Sequence, residues 1–208
     1  FSEALQPELT LTPKYDTQEA VYTGILVMLD QANTLLASGN GAILATSDIL
    51  YGGDAAQWQK FANSLKFRSL MRISGKTDVS SDLQDIVNNR SVFGSNADEA
   101  KVIYLGADPN ANPMFETIVF GNRAEWKVNT VLVDMLEGLN DPRLPVYAQP
   151  NADGEYRGKP SGYAVIPDDW NFANVSAIGT SFLDAEAPGF FMSYAELQFL
   201  MAEAAEKG

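Results

Sequence analysis

The sequence predicts a mainly α-helical fold that carries one long, irregular, loop-rich insert and little strand. Apolar residues recur at helical intervals in three well-separated segments. Each segment follows an Asp or Ser with Glu or Gln three positions on, the spacing of a capping box. Between the second and third, from Arg143 to Gly189, the chain is rich in Pro, Gly, Asn and Asp and follows neither period. One short run, Val102 to Leu105, reads as a strand.

An extended lead-in from Phe1 to Pro13 precedes the first helix. Asp16 with Glu19 caps that helix, and Ala20, Val21, Gly24, Ile25, Met28, Leu29, Ala32, Leu35 and Leu36 form its stripe as far as Gly39. Ile43, Leu44, Ile49 and Leu50 suggest that the following loop packs down, and Gly52-Gly53 then breaks the chain. Asp54 caps the second helix with Gln57 at box spacing. Trp58, Phe61, Ala62, Leu65, Leu70 and Ile73 form a wide inward stripe, Lys60, Lys66, Arg68 and Arg72 occupy the remaining arc, and Gly75 ends the helix in a left-handed turn. The caps Asp16 and Asp54, and the stops Gly39 and Gly75, are spaced near the ~34-residue period of tetratricopeptide-type hairpins.

A short helix is expected over Ser81 to Asn88, and the chain then reads as irregular to Gly121. Asn129 caps a further helix through Val131, Leu132, Met135 and Leu136, ended by Gly138, before an Asp141-Pro142 turn. In the long insert Tyr147, Tyr156, Tyr163, Trp170, Phe172 and Phe182 argue for order. Ser193 with Glu196 opens the last helix through Tyr194, Leu197, Leu200, Met201 and Ala204.

Composition narrows the function. A net charge of -13 disfavours nucleic acid and anionic lipid, which would be repelled. With no Cys and no His, these residues supply no thiol nucleophile, no Ser-His triad and no Cys/His zinc site. No signal peptide, transmembrane run or lipid-attachment Cys is read in it, so a targeting region is expected upstream of residue 1.

Three blocks carry a resemblance. Tyr51, Gly52, Gly53, Asp54, Trp58, Lys60, Phe61, Ala62, Asn63, Ser64, Leu65, Arg68 and Arg72 resemble the hallmark helix of the SusD/RagB-type nutrient-binding outer-membrane lipoproteins. The Leu139-Asn-Asp-Pro-Arg-Leu-Pro145 turn and the Phe191 to Ala204 helix are similar to that family's, in the same order, from about Tyr15 to Gly208. The resemblance implies a single SusD-like domain over 1–208, built of tetratricopeptide-like hairpins with a ligand-holding loop face. It also implies a lipid anchor upstream, further helices beyond 208, and a place on the cell surface at the outer membrane. There such proteins capture glycans or peptides as a lid over a SusC-like TonB-dependent transporter.

A sugar site needs aromatic faces for the apolar side of a pyranose, with amides or carboxylates beside them for hydroxyls. Tyr156, Tyr163, Asp169, Trp170 and Asn171 in the insert supply those types. The competing reading is that these rings pin the loop to the scaffold. Trp58 lies on the core stripe, and Trp126, just ahead of Asn129, could brace the helix there. The carboxylate pairs Asp168-Asp169, Asp98-Glu99, Asp82/Asp85 and Glu203/Glu206 fall on polar faces or turns, which argues against a glycosidase. Asn151-Ala-Asp-Gly-Glu155 fails as a calcium loop, because aligning Gly154 places Gln149 and Pro160 at ligand positions. No metal or cofactor is expected. The basic arc of the second helix is read as ion-paired rather than as an anion site. The function expected is non-enzymatic nutrient binding. A helical-repeat interaction scaffold is the alternative and a glycoside hydrolase the third class.

Overall fold

The computed structural model describes residues 2–4, 11–39, 41, 43–163 and 168–208. The expected lead-in over residues 1–13 lies largely outside them. The chain is mainly helical and tetratricopeptide-like, with one small sheet. It divides into two compact units, Phe1–Val102 with Phe190–Gly208, and Ile103–Gly189.

The first unit is built on the hairpin of α1 (Gln18–Ala37) and α2 (Ala55–Ile73). Thr17, not Asp16, caps α1, accepting from the Ala20 N–H at 3.2 Å, and Gly39 follows the helix with a φ of +64°. Among the described residues α1 is long and apolar enough to cross a membrane, with mean hydropathy 1.2, which corrects the sequence reading of no such run. Here it packs on α2. Its Asp30 accepts from Lys66 Nζ at 2.7 and 2.8 Å and from Arg90 at 2.7 Å.

Asp54 caps α2 as predicted, accepting from Ala56 N and Gln57 N. The Gln57 side chain, however, turns to Asp98 rather than back to the cap. The buried face of α2 is wider than the predicted stripe and includes Phe67 and Met71, which the sequence reading left out. Phe67, Leu70, Ile86, Phe93, Met192 and Leu197 form the fully buried centre of this unit. Trp58 is half-buried. It sits between Tyr51 at 5.4 Å and Phe61 at 6.1 Å and donates its indole N–H to Asp48 Oδ2 at 2.7 Å. Of the four loop aliphatics expected to pack down, Leu50 alone reaches the core, while Ile43, Leu44 and Ile49 are exposed.

The polar residues of the hallmark helix have physical jobs. Asn63 Nδ2 donates to the Ser91 carbonyl at 2.9 Å, and Ser64 Oγ accepts from Phe93 N at 3.0 Å, so α2 satisfies the backbone of a segment that would otherwise be buried unpaired. Three of the four residues of its basic arc are ion-paired, Lys60 with Asp98, Lys66 with Asp30 and Arg68 with Glu196, while Arg72 is exposed and forms no ion pair among the described residues. Burial would raise the Asp98 carboxyl, but Lys60 and the Gly94 N–H hold it below the usual carboxylate range. Gly75 does not take a left-handed conformation. Instead Ser74 Oγ bonds the Met71 carbonyl, and Lys76 N and Thr77 N both return to the Ile73 carbonyl.

Helix α3 (Ser80–Asn89) follows, its start tied by Asp78 rather than Ser81. The predicted strand is displaced: β1 spans Ala100–Val102 and pairs with β2 (Gly189–Met192). Helix α6 (Tyr194–Lys207) is capped by Ser193 through Glu196 N at 3.1 Å and packs on α2.

The second unit holds a π-helical turn, Phe115–Phe120, which the sequence reading had as irregular. Helix α4 (Thr130–Gly138) is capped by Asn129 through Val131 N at 2.8 Å. Its inward residues are Val133 and Leu136, while Val131 and Met135 are exposed. The helix ends at Gly138 as expected. Asn140, with φ +50°, takes the left-handed position, its N–H reaching the Glu137 carbonyl and the Asp141 N–H the Leu136 carbonyl, which is a Schellman closure. One turn of helix, α5 (Leu144–Tyr147), begins the long insert. Val128, Val133, Leu136, Leu144 and Ala148 form the core of this unit, with Tyr147, Tyr156 and Ile178 against it.

Candidate functional site

The insert owes its order to backbone pairing. Lys159 N donates to the Val128 carbonyl at 2.7 Å and Thr130 N to the Lys159 carbonyl at 3.2 Å. Val128 N reaches the Ser176 carbonyl at 3.1 Å, and Ser176 N the Arg157 carbonyl at 2.8 Å. Three distant segments are thereby laced side by side. Gly158 makes this possible. A Cβ there would lie 2.5 Å from Thr130 N and 2.7 Å from the Asn129 carbonyl carbon, closer than real Cβ atoms come. Side chains alternate along an extended segment, so with position 158 turned inward Arg157 and Lys159 share the other side.

There they meet the turn at 168–174. Asn171 Oδ1 accepts from Ala173 N at 2.9 Å and Asn174 N at 3.1 Å, and Asn174 Nδ2 reaches the Asp169 carbonyl at 3.3 Å. Asn151 Nδ2 fastens this turn through the Asn174 carbonyl at 3.2 Å. The Arg157 guanidinium lies 4.1 Å from the centre of the Trp170 ring. Lys159 Nζ stands 4.5 Å and Lys127 Nζ 6.0 Å from the centre of Phe172. Burial, reinforced by the like charge of Lys159, lowers the Lys127 ammonium below the usual lysine range.

The predicted site residues take different places. Trp170 is half-buried with Arg157 on one face, and Asp169 is exposed in the same turn. Tyr163 is 56% exposed and makes no hydrogen bond or ring contact among the described residues. Tyr156 packs at the edge of the core, and the Asn171 oxygen is engaged by its own turn. Trp126 is 52% exposed and so does not brace α4 from within. Phe172 was read only as one of the rings that order the insert, and Lys127, Arg157 and Lys159 were not singled out from sequence. The signal that could have found them is the Arg-Gly-Lys triplet at 157–159, two cations either side of a glycine in extended chain.

The carboxylate pairs have other partners: Asp98 lies on Lys60, Asp85 on Arg90 and Glu203 on Lys207. One pair was missed. Glu116 is pushed up by its hydrogen bond with the Asp108 carboxyl, and it also accepts from the Ala111 N–H at 3.3 Å. Asn151 Oδ1 accepts from Asp153 N and Glu155 N, so in the rejected calcium loop it closes a turn.

Residues 1–208 match the SusD-like family, described as starch-binding and associating with the outer membrane, and the chain belongs to it. Among solved structures, a SusD homologue from Bacteroides fragilis shares 30% identity with a TM-score of 0.81, covering 100% of this chain and 48% of its own. A SusD-like protein from Bacteroides thetaiotaomicron shares 34% identity with a TM-score of 0.75, over 93% of this chain and 41% of that one. A chitin-binding SusD homologue from Flavobacterium johnsoniae shares 27% identity with a TM-score of 0.80, over 100% and 43%. The chain thus spans about half or less of the length of these structures. A comparison with curated proteins gave no match.

Proposed function

We propose that this chain is the ligand-bearing part of a non-enzymatic, surface nutrient-binding protein. It captures glycans at the outer membrane and passes them to a TonB-dependent transporter of the SusC-like kind, held there by a lipid anchor. Family membership and the chitin-binding relative support a sugar as the ligand rather than a peptide. The observation that carries the reading is that the insert presents rings to solvent, Tyr163 and Phe172 exposed and Trp170 half-buried, with the exposed Asp169 carboxylate in the turn that holds Trp170 and Phe172. Rings of this kind stack on pyranose faces, while shallow burial keeps affinity modest and release fast.

The test is calorimetric titration of the full-length protein with chito- and malto-oligosaccharides. Tyr163→Ala and Trp170→Ala are each expected to lose affinity by roughly ten-fold, the order of one stacking contact, while the melting temperature holds within about 1 °C. Unchanged affinity in both variants, or a melting temperature lowered by several degrees with Trp170→Ala, would assign the rings to pinning the loop. Binding of no glycan at all would refute the nutrient role.

A further inference from the structure

The basic residues of the second unit are Arg123, Lys127, Arg143, Arg157 and Lys159. Arg123 pairs with Glu125 and Arg143 with Asp141, as expected where acids outnumber bases. Among the described residues the other three form no ion pair, and they are gathered in one place, over Trp170 and Phe172. Gathering like charges without a partner costs free energy, although a chain of net charge -13 holds acids enough to pair with them. Lys127 and Lys159 stand against the same Phe172 ring and repel each other; burial first, and this like charge second, lower the Lys127 ammonium below the usual lysine range. Asp168 and Asp169, exposed in the same turn as the rings, ion-pair with none of them.

What keeps the cations together is the backbone lacing around Gly158, with the rings beneath them. A cation resting on a ring face keeps most of its N–H groups for another partner. A guanidinium beside an indole still presents its fork of N–H donors, which suits a planar or tetrahedral oxyanion. The three cations therefore form a positive patch with no counter-ion among the described residues, set against two aromatic rings.

We infer that Lys127, Arg157 and Lys159 form a subsite for an acid group on the sugar ring, the carboxylate of a uronic acid or a sulfate ester, and that the ligand class is an anionic polysaccharide. This rests on the glycan reading above and narrows it. The rings supply the pyranose contact and the cations read the substituent, so neutral chains of the same length bind less well.

The experiment titrates the full-length protein with tetragalacturonate, a chondroitin sulfate tetrasaccharide, maltotetraose and chitotetraose, each at low and at physiological salt. At least one acidic sugar should bind roughly ten-fold or more tighter than both neutral ones, as a single charge-assisted hydrogen bond provides, and should weaken as salt rises. The carboxylated and sulfated arms tell the two acid groups apart. The Lys127→Gln/Lys159→Gln double variant should lose the preference at an unchanged melting temperature, and Lys159→Arg should retain it. Neutral sugars binding as tightly as acidic ones, or a double variant that keeps the preference, would overturn the subsite and leave the glycan reading standing. No sugar bound in any arm would remove both. Tighter binding of a polyglutamate peptide than of every sugar would overturn the assignment to glycan.

Discussion

Replacing Gly158 by Ala tests the lacing that the site depends on. The added Cβ would fall 2.5 Å from Thr130 N and 2.7 Å from the Asn129 carbonyl carbon, and both neighbours are backbone that cannot rotate aside. Overpacking of a rigid site costs about 1–3 kcal/mol. Moving the strands apart also weakens the bonds from Lys159 N to Val128 and from Thr130 N to Lys159, at about 1 kcal/mol each. A total of about 3–5 kcal/mol corresponds to a melting temperature lowered by roughly 10 °C in a chain of this size. Two further glycines calibrate the scale. Gly154 faces open space but has φ +83°, so Gly154→Ala should cost about 1–2 kcal/mol from backbone strain alone. Gly138 has neither constraint, and Gly138→Ala in α4 should stabilise by about 0.5 kcal/mol. The assay is thermal melting followed by near-ultraviolet circular dichroism, with the acidic and neutral sugars titrated into each variant. A Gly158→Ala protein melting within about 1 °C of the parent would refute the claim that close backbone approach sets the position of Arg157 and Lys159.

Two other perturbations probe the helical unit. Asp30→Asn leaves Lys66, 5% exposed, without its carboxylate, and should cost about 2 kcal/mol in denaturant unfolding, less than a fully interior pair because the Asp30 side chain is 46% exposed; no measurable change would show that Lys66 reaches water. Burial works to raise the Asp48 carboxyl, but the Trp58 indole and the Gly53, Tyr51 and Leu50 N–H groups hold it down to about 2. Since that value is depressed, the stabilisation is fully present above the ordinary Asp range near pH 4 and disappears as pH falls through about 2. The difference in melting temperature between the parent and Asp48→Asn should therefore shrink over that window, and a difference constant from pH 5 to pH 2 would contradict it.

The helical unit was legible because its signals are local. Capping residues and a 3.6-residue period specify α1, α2 and α6 without reference to anything distant. The misreadings share a cause. Phe67 and Met71 fell outside the predicted stripe, and Val131 and Met135 looked like core, because periodicity shows that a face exists but not how much of it is covered. Gly75 looked like a left-handed stop, yet a turn through Ile73 ends α2; α4 does end at Gly138, with Asn140 taking the left-handed position beyond it. In the insert the aromatic content announced order and recognition, but which rings face water depends on pairing between residues 127–130, 157–159 and 175–178. Such pairing has no period to read. Tyr156 and Tyr163 are indistinguishable in sequence, and one rests on the core while the other stands in solvent.

The pairing of β1 with β2 bears on how such a protein can diversify. Residues 103–188 leave through one strand and return through its neighbour, so their ends are fixed roughly 5 Å apart whatever lies between. To the helices, the whole intervening segment is a closed loop on a short stem, and lengthening such a loop costs only about 0.6 kcal/mol per doubling. Descendants of one chassis can therefore trade this cassette for another of different size and charge while Phe67, Leu70 and their neighbours stay as they are.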